Sequence, residues 1–80
     1  METMSVSETL KKVLKYYPAS PFMTADVLRL YENEGYDLTD RCVCNSVSRH
    51  LTVLHKQKYL KVIDKVNTYG GNKRVYMVRQ

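Results

Sequence analysis

The sequence predicts a mainly helical α+β fold in which three helices precede a C-terminal two-stranded β-hairpin. Before residue 59, apolar residues recur at helical spacing in three separate stretches. After Tyr59 the apolar period changes to two, and the turn-forming cluster Asn67 to Asn72 separates two short runs rich in β-branched residues. At 80 residues the chain is long enough for one domain, which we expect to span residues 1–80.

The first predicted helix runs from about Val6 to Tyr16. Ser5 and Glu8 have the spacing of a capping box at its start. Pro18 is incompatible with its continuation. Its apolar residues recur at intervals that return to one side of a helix, and they are Val6, Leu10, Val13, Leu14 and Tyr17.

The second predicted helix starts at Thr24, a residue type favoured as an N-cap, with Asp26 in the first turn to complement the helix dipole. Gly35 suits the left-handed conformation that often follows the last helical residue. The apolar face of this helix consists of Val27, Leu28 and Tyr31.

The third predicted helix begins near Asp40, a suitable N-cap, and covers residues 40–58. Its core face consists of Val43, Val47, Leu51 and Leu54. His50 falls near the centre of that face, so we expect a packed and hydrogen-bonded core residue rather than a ligand-binding one. His55 is expected to be more exposed, either solvated or in contact with phosphate.

A hairpin is predicted over residues 60–78. In the first strand the period of two places Leu60, Val62, Asp64 and Val66 on one face and Lys61, Ile63 and Lys65 on the other. The return strand is expected over 75–78.

Charge is distributed unevenly along the chain. Residues 1–40 contain four Lys or Arg and seven acids, whereas residues 41–80 contain nine Lys or Arg and the single acid Asp64. The net charges of −3 and +8 add up to the overall +5. A half-chain this basic favours a polyanion as its partner, either a nucleic acid or an anionic membrane surface.

The outer face of the third helix has an unusual composition for a surface helix. It contains no acid and combines short hydrogen-bonding side chains with cations, namely Arg41, Asn45, Ser48, Arg49, Thr52 and Lys56. An ordinary solvated helix intersperses Glu to form pairs four residues apart. Arg and Asn suit bidentate contacts to guanine and adenine edges, and Ser, Thr and Lys suit phosphates.

Three helices followed by a basic hairpin resemble a winged helix-turn-helix. The stretch Val47 to Val62, V-S-R-H-L-T-V-L-H-K-Q-K-Y-L-K-V, resembles the recognition helix and first wing strand of ArsR/MarR-type repressors. Together with the upstream T-A-D-V-L-R-L-Y-E-N-E-G, it also resembles the ferric-uptake repressors. The resemblance covers residues 22–78, and it departs from both families where Lys58-Tyr59 replaces the glycine usual after the recognition helix. Without that glycine, the turn must either close with no residue at positive φ or hold Lys58 in a strained backbone conformation.

The resemblance implies that the third helix enters the major groove of double-stranded DNA and that the hairpin forms a wing on the backbone or minor groove. Carried over by position, the groove-facing residues are Asn45, Ser48, Arg49 and Thr52, with Arg41 and Lys56 beside them and Lys73 and Arg74 on the wing. Tyr69 at the wing tip either stacks on a sugar or lies in a groove of the DNA, or it folds back onto the core. A homodimer is expected because one helix reads only half of a typical site. The first helix with its tail, Thr3 to Tyr17, is the surface expected to meet the second copy, and Leu10 and Tyr16 are left available on it.

Other chemistries find little support in the sequence. No nucleophile–base pair, phosphate-cradling loop or pair of catalytic carboxylates is recognisable, so we expect neither an enzyme nor a cofactor. Cys42 and Cys44 point to different sides of one helix, so we expect small semi-buried residues rather than a metal site, with an intermolecular disulfide or redox sensing as alternatives. The N-terminus lacks the pattern of a signal peptide, and no apolar run is long enough for a membrane span, which favours a cytoplasmic location.

The function expected from these patterns is that of a sequence-specific DNA-binding transcriptional regulator. The alternative is a winged helix that docks on a polymerase or replication partner, and RNA binding is a third reading. The small size is typical of regulators encoded by compact genomes, such as those of phages, plasmids or archaeal viruses.

Overall fold

The computed structural model describes residues 5–68 and 71–79 of the chain. Three helices, α1 (Val6–Tyr16), α2 (Thr24–Asn33) and α3 (Arg41–Lys56), are followed by strands β1 (Leu60–Thr68) and β2 (Gly71–Val78). The two strands pair antiparallel. This order confirms the predicted α+β fold. Within the described ranges, no helix has both the length and the apolar character needed to cross a membrane.

Helix α1 begins as predicted, with the Ser5 side chain accepting a hydrogen bond from the Glu8 amide. The prediction for its buried face was wrong at one position. Leu14 is 47% exposed, whereas Thr9 is fully buried. The buried stripe is centred on Thr9 and Val13, and Leu14 lies a further 100° around the helix. Leu10 packs against the core, so it is not the free surface residue that the sequence predicted.

Helix α2 starts at Thr24, but its N-cap is Met23. Thr24 is therefore the first helical residue, and the Asp26 carboxylate takes over the capping role by accepting from the Met23 amide at 2.8 Å. Gly35 has a φ of +99°, as predicted for the residue that ends this helix. The turn toward α3 is closed by Asp37, whose side chain accepts from both the amide and the hydroxyl of Thr39. These hydrogen bonds, led by that from the hydroxyl, lower the pKa of Asp37.

Helix α3 begins after Asp40, whose carboxylate accepts from the Cys42 amide, as predicted. It ends at Lys56, two residues before the predicted end at Lys58. The Tyr59 amide donates to the Leu54 carbonyl and the Lys58 amide to the His55 carbonyl, which is the Schellman arrangement. Lys58 occupies the glycine position of that motif with a φ of +65°, so the turn closes with Lys58 strained.

The hairpin is longer than predicted, and a β-bulge changes its faces. Pairing continues through Thr68 and Gly71, so the strands extend into the predicted turn cluster. The register shifts between Val62 and Asp64, because Val62 pairs with Tyr76 but Asp64 pairs with Val75. Beyond the bulge the faces are exchanged relative to a strict alternation. Asp64 and Val66 therefore do not share a face with Leu60 and Val62, as the sequence had predicted.

The core lies between the three helices and the inner face of the hairpin. It includes the four apolar residues predicted on α3, together with others from each element, namely Val13, Phe22, Val27, Tyr31, Leu60, Tyr76 and Val78. Phe22, in the segment before α2, exchanges both backbone hydrogen bonds with Tyr76 and acts as a one-residue third strand. Its ring also lies between those of Tyr17 and Tyr76. The hairpin is thereby attached to the helices by backbone as well as by side chains.

A polar contact joins the three helices inside this core. The hydroxyl oxygen of Thr9 lies 2.7 Å from the Tyr31 hydroxyl and 2.9 Å from Nδ1 of His50. Thr9 and Tyr31 are almost completely buried. Burial is the main cause that raises the pKa of Tyr31, whereas its hydrogen bond with Thr9 and the charge of Lys12 act in the opposite direction. A buried polar group needs such partners, so this contact fixes how α1, α2 and α3 meet.

Candidate nucleic-acid interface

The outer face of α3 is accessible along the length of the helix. Because its opposite face is buried in the core, the helix presents the predicted polar and cationic residues to solvent. The exposed residues are Arg41, Asn45, Ser48, Arg49 and Lys56. No Asp or Glu occurs between Arg41 and Lys56, so this face is uniformly neutral or positive.

Thr52 differs from the other predicted groove-facing residues. It is half-buried, and its hydroxyl donates to the Ser48 carbonyl at 3.0 Å. The hydroxyl proton is thus used within the helix, and the oxygen remains as an acceptor. Phosphate oxygens are also acceptors, so Thr52 is poorly suited to bind one, and its methyl group or hydroxyl oxygen is what it can offer to a base.

A groove adjoins this face, between the start of α2, the middle of α3 and strand β2. Its volume is about 560 Å³. Ser48 and Thr52 form the α3 wall, and Lys73 and Arg74 form the hairpin wall. The remaining lining residues come from Tyr76 and from α2 and its N-cap, namely Met23, Thr24, Ala25 and Leu28. The structure therefore brings the predicted wing cations and two predicted groove-facing residues of α3 to one surface.

The two predicted wing cations are both exposed. Arg74 pairs with Lys65 across the hairpin, and both lie on the face that also carries Tyr76 and Val62, toward α3. Lys65 thus joins the predicted site as a third basic position of the hairpin, whereas Lys73 pairs with Val66 on the opposite face of the sheet although it also lines the groove. The prediction for Tyr69 lies outside the described residues.

The positive charge of this surface is not cancelled by ion pairs. In residues 5–68 and 71–79 the single ion pair joins Lys12 of α1 to Glu34 after α2, with Nζ and Oε2 2.6 Å apart. It lies in the half of the chain that carries the negative net charge. The cations of α3 and of the hairpin are therefore available to an anionic partner.

His50 belongs to the support of α3 rather than to its exposed face. The contact between Nδ1 and the Thr9 hydroxyl confirms the predicted packed and hydrogen-bonded role. Burial, and secondly the nearby charge of Arg49, lower the pKa of His50. His55 is half-buried and meets the Tyr76 ring edge-on, with the ring centroids 6.3 Å apart, so it is more enclosed than the sequence suggested.

The cysteines take no part in a metal site in the described part of the chain. Cys42 is exposed at the start of α3, whereas Cys44 is half-buried and its thiol donates to the Leu38 carbonyl at 3.2 Å. Both are free thiols. Across the described residues, no group of three or more His, Cys, Asp or Glu side chains is arranged to hold a metal ion.

Sequence reasoning missed the contribution of α2 to the groove. Thr24 and Ala25 reach this surface only because the Phe22–Tyr76 bridge holds the start of α2 against β2. A one-residue strand cannot show a period, so no pattern in the sequence indicated it.

Comparisons of the chain with models of protein families, with curated proteins and with solved structures give no match.

Proposed function

We propose that this protein is a winged helix-turn-helix regulator of transcription that binds double-stranded DNA in a sequence-specific manner. The observation that carries the proposal is the continuous surface formed by the acid-free face of α3 and the cations of β2. Such a surface combines groups that read base edges with groups that neutralise phosphates.

The dimensions of α3 suit the major groove. The helix has 16 residues, which corresponds to a length of about 24 Å at 1.5 Å per residue. The major groove of B-DNA is about 12 Å wide and admits one helix. Asn45 and Arg49 lie four residues apart on the exposed face, so they can meet neighbouring base pairs. An Arg fork reaches O6 and N7 of guanine, and an Asn amide pairs with N6 and N7 of adenine.

The hairpin and the groove beside it suit the DNA backbone. Lys73 and Arg74 line the wall of the groove that faces α3, and Lys65 lies across the strand from Arg74. A DNA strand that leaves the major groove beside α3 would pass these cations. They would hold the duplex in register without reading its sequence.

Arg49 and Arg74 separate base reading from backbone binding. Arg49→Ala should cost about 1–3 kcal/mol on the preferred site and change affinity for random duplex only slightly. Arg74→Ala should weaken both kinds of binding by a similar factor and reduce the salt slope by about one unit. Lys11→Ala, which removes an exposed cation from α1, is the matched control and should change neither.

The measurements are selection of the preferred site from random duplexes, followed by titration of each variant across a range of salt. The five cations placed toward the backbone, Arg41, Lys56, Lys65, Lys73 and Arg74, predict a log–log slope of about −4 to −5 for the wild type. A slope near zero would refute the proposed binding to nucleic acid. If Arg49→Ala keeps full specificity and its circular dichroism is unchanged, α3 is not the reader, and docking on a protein partner becomes the better proposal.

A further inference from the structure

Three cations of the basic half of the chain take no part in the proposed DNA interface. Of the nine Lys and Arg in residues 41–80, six belong to the exposed face of α3 or to the hairpin positions beside the groove. The other three, Lys58, Lys61 and Arg79, are all exposed. They lie at the end of the hairpin where β1 begins and β2 ends, away from its turn.

Two of these cations form a patch with two apolar side chains on the outer face of the sheet. Lys61 pairs with Met77. The Arg79 amide donates to the Tyr59 carbonyl at 2.9 Å, which continues the pairing one step past the last pair of the sheet. Side chains alternate between the two faces of a sheet, and that last pair is buried in the core, so the four side chains lie on the side away from it. We call Tyr59, Lys61, Met77 and Arg79 the base patch.

The base patch exposes apolar surface that the core does not use. Tyr59 is 51% exposed, and Met77 is only half-buried. Val75, the next apolar residue on the same face of β2, is also half-buried. Tyr, Met and Arg are the residue types that are enriched in protein–protein interfaces. Phosphates, in contrast, are bound by cations and hydrogen-bond donors, so a thioether and a valine offer them nothing. The patch therefore suits a protein better than a nucleic acid.

The positive charge of the base patch is not neutralised within the domain. The single ion pair of residues 5–68 and 71–79 joins α1 to the end of α2, so neither Lys61 nor Arg79 takes part in one. Asp64 is the only acid of residues 41–80, and its carboxylate accepts from the Lys65 amide at 2.7 Å. A partner that covers the patch must therefore bring carboxylates for two cations and apolar groups for the side chains between them.

We propose that the base patch docks an acidic, partly apolar segment of another protein. Glu or Asp side chains of this segment pair with Lys61 and Arg79, and its apolar side chains pack on Tyr59 and Met77. An anionic bilayer fits less well, because the half-buried Met77 and Val75 offer little to insert into it. The patch is small compared with stable interfaces of about 800 Å² per partner, so the docking should be weak.

This docking does not depend on the proposed DNA binding. The base patch lies on the opposite face of the sheet from α3. Lys73 shares the outer face, but it pairs with Val66, two pairs nearer the turn, so a segment seated on the base patch does not cover it. The domain can therefore hold DNA on one side and a protein partner on the other.

A labelled peptide of three Glu-Leu-Glu-Ser repeats tests the proposal by fluorescence anisotropy with the full chain. In about 0.15 M salt, which screens long-range attraction, the dissociation constant should be on the order of 0.1 mM. A peptide with Ser in place of each Leu should bind about fivefold more weakly or worse, because it lacks the apolar contacts. Lys61→Glu with Arg79→Glu should weaken binding of the first peptide by about tenfold or more, because acids then face acids.

The matched control is Arg49→Glu with Arg74→Glu, which makes the same change of net charge in the proposed DNA interface. It should change the affinity for the peptide by less than about threefold. All four replaced residues are exposed, so the variants should fold, and circular dichroism checks this. A nitrogen–proton correlation spectrum of the wild type locates the peptide without any variant, and the amides of residues 59–61 and 77–79 should shift most.

Three results with the peptide would overturn the proposal. They are a wild type that binds no peptide at about 1 mM protein, amide shifts concentrated on α3, and an equal loss of affinity in the two double variants. Oligothymidine of twelve nucleotides and phosphatidylserine vesicles test the other anionic partners. If Lys61→Glu with Arg79→Glu weakens either of these more than it weakens the peptide, the patch is a site for nucleic acid or lipid and the proposal is wrong.

Discussion

Replacing Thr9 by valine tests the polar contact that joins the three helices. Valine has nearly the shape of threonine but lacks the hydroxyl that meets Tyr31 at 2.7 Å and His50 at 2.9 Å. Tyr31 is only 1% exposed, so its hydroxyl would lose its partner without access to water. A buried hydroxyl left without a partner costs about 1–3 kcal/mol. His50 is half-buried, so water can replace part of its lost contact.

We therefore expect Thr9→Val to lower the free energy of unfolding by about 2–3 kcal/mol. The whole domain of 80 residues should have a stability of about 4–12 kcal/mol, so the loss is a large fraction of it. Urea unfolding followed by far-ultraviolet circular dichroism measures it. With a denaturant slope of about 1 kcal/mol/M, the midpoint should fall by about 2 M or more.

Two further variants decide whether the hydroxyl is the cause. Thr9→Ser keeps the hydroxyl and loses a methyl group, so it should cost only about 1 kcal/mol. In the double variant Thr9→Val with Tyr31→Phe, the Tyr31 hydroxyl that Thr9→Val leaves without a partner is also removed, so the cost should be less than the sum of the two single costs. If Thr9→Val unfolds within 0.5 M of the wild type, or if the serine variant is the less stable one, the hydroxyl does not hold the helices together.

Two more predictions concern the end of α3 and its histidine. Lys58→Gly should raise the melting temperature by about 2–8 °C, because glycine relieves the left-handed strain at a φ of +65°. The control Gln57→Gly changes a residue with an ordinary φ of −81° and should lower the melting temperature. A lower melting temperature in both variants would refute the strain argument. Burial first, and then Arg49, lower the pKa of His50, so the unfolded chain takes up this proton more readily than the folded one. The free energy of unfolding should therefore fall as the pH falls from about 6.5 toward the lower folded-state pKa. Urea midpoints at several pH values measure this slope, and an undiminished slope in His50→Gln would assign it to another group.

The elements that could be predicted from the sequence are those that repeat a pattern several times. Val43, Val47, Leu51 and Leu54 span about three turns of α3, and all four are buried as expected. The N-cap at Asp40 could also be predicted from the sequence, because it depends only on the Asp40 side chain and the amide two residues later. The exposed face of α3, and hence most of the candidate site, follows from the same periodicity.

The remaining features depend on single residues or on partners distant in sequence. One extra residue in β1 exchanges the faces of the hairpin beyond Val62, and nothing in the local sequence shows which strand position bulges. Thr9 is buried because Tyr31 and His50, from two other helices, satisfy its hydroxyl. Leu14 is exposed because the neighbouring elements meet α1 on the side of Thr9. Such choices are made by tertiary packing, which a periodic pattern does not encode.

The bridge between Phe22 and Tyr76 also bears on how the protein is made. It joins residues far apart in the chain, and the core contains Leu60, Tyr76 and Val78 from the hairpin. A nascent chain that ends after α3 lacks these core residues, so its helices cannot close around a complete core. Synthesis at about 5–20 residues per second leaves the apolar faces of the helices open for several seconds. Non-local contacts of this kind also slow folding itself, since the loop must close before its contacts repay the entropy.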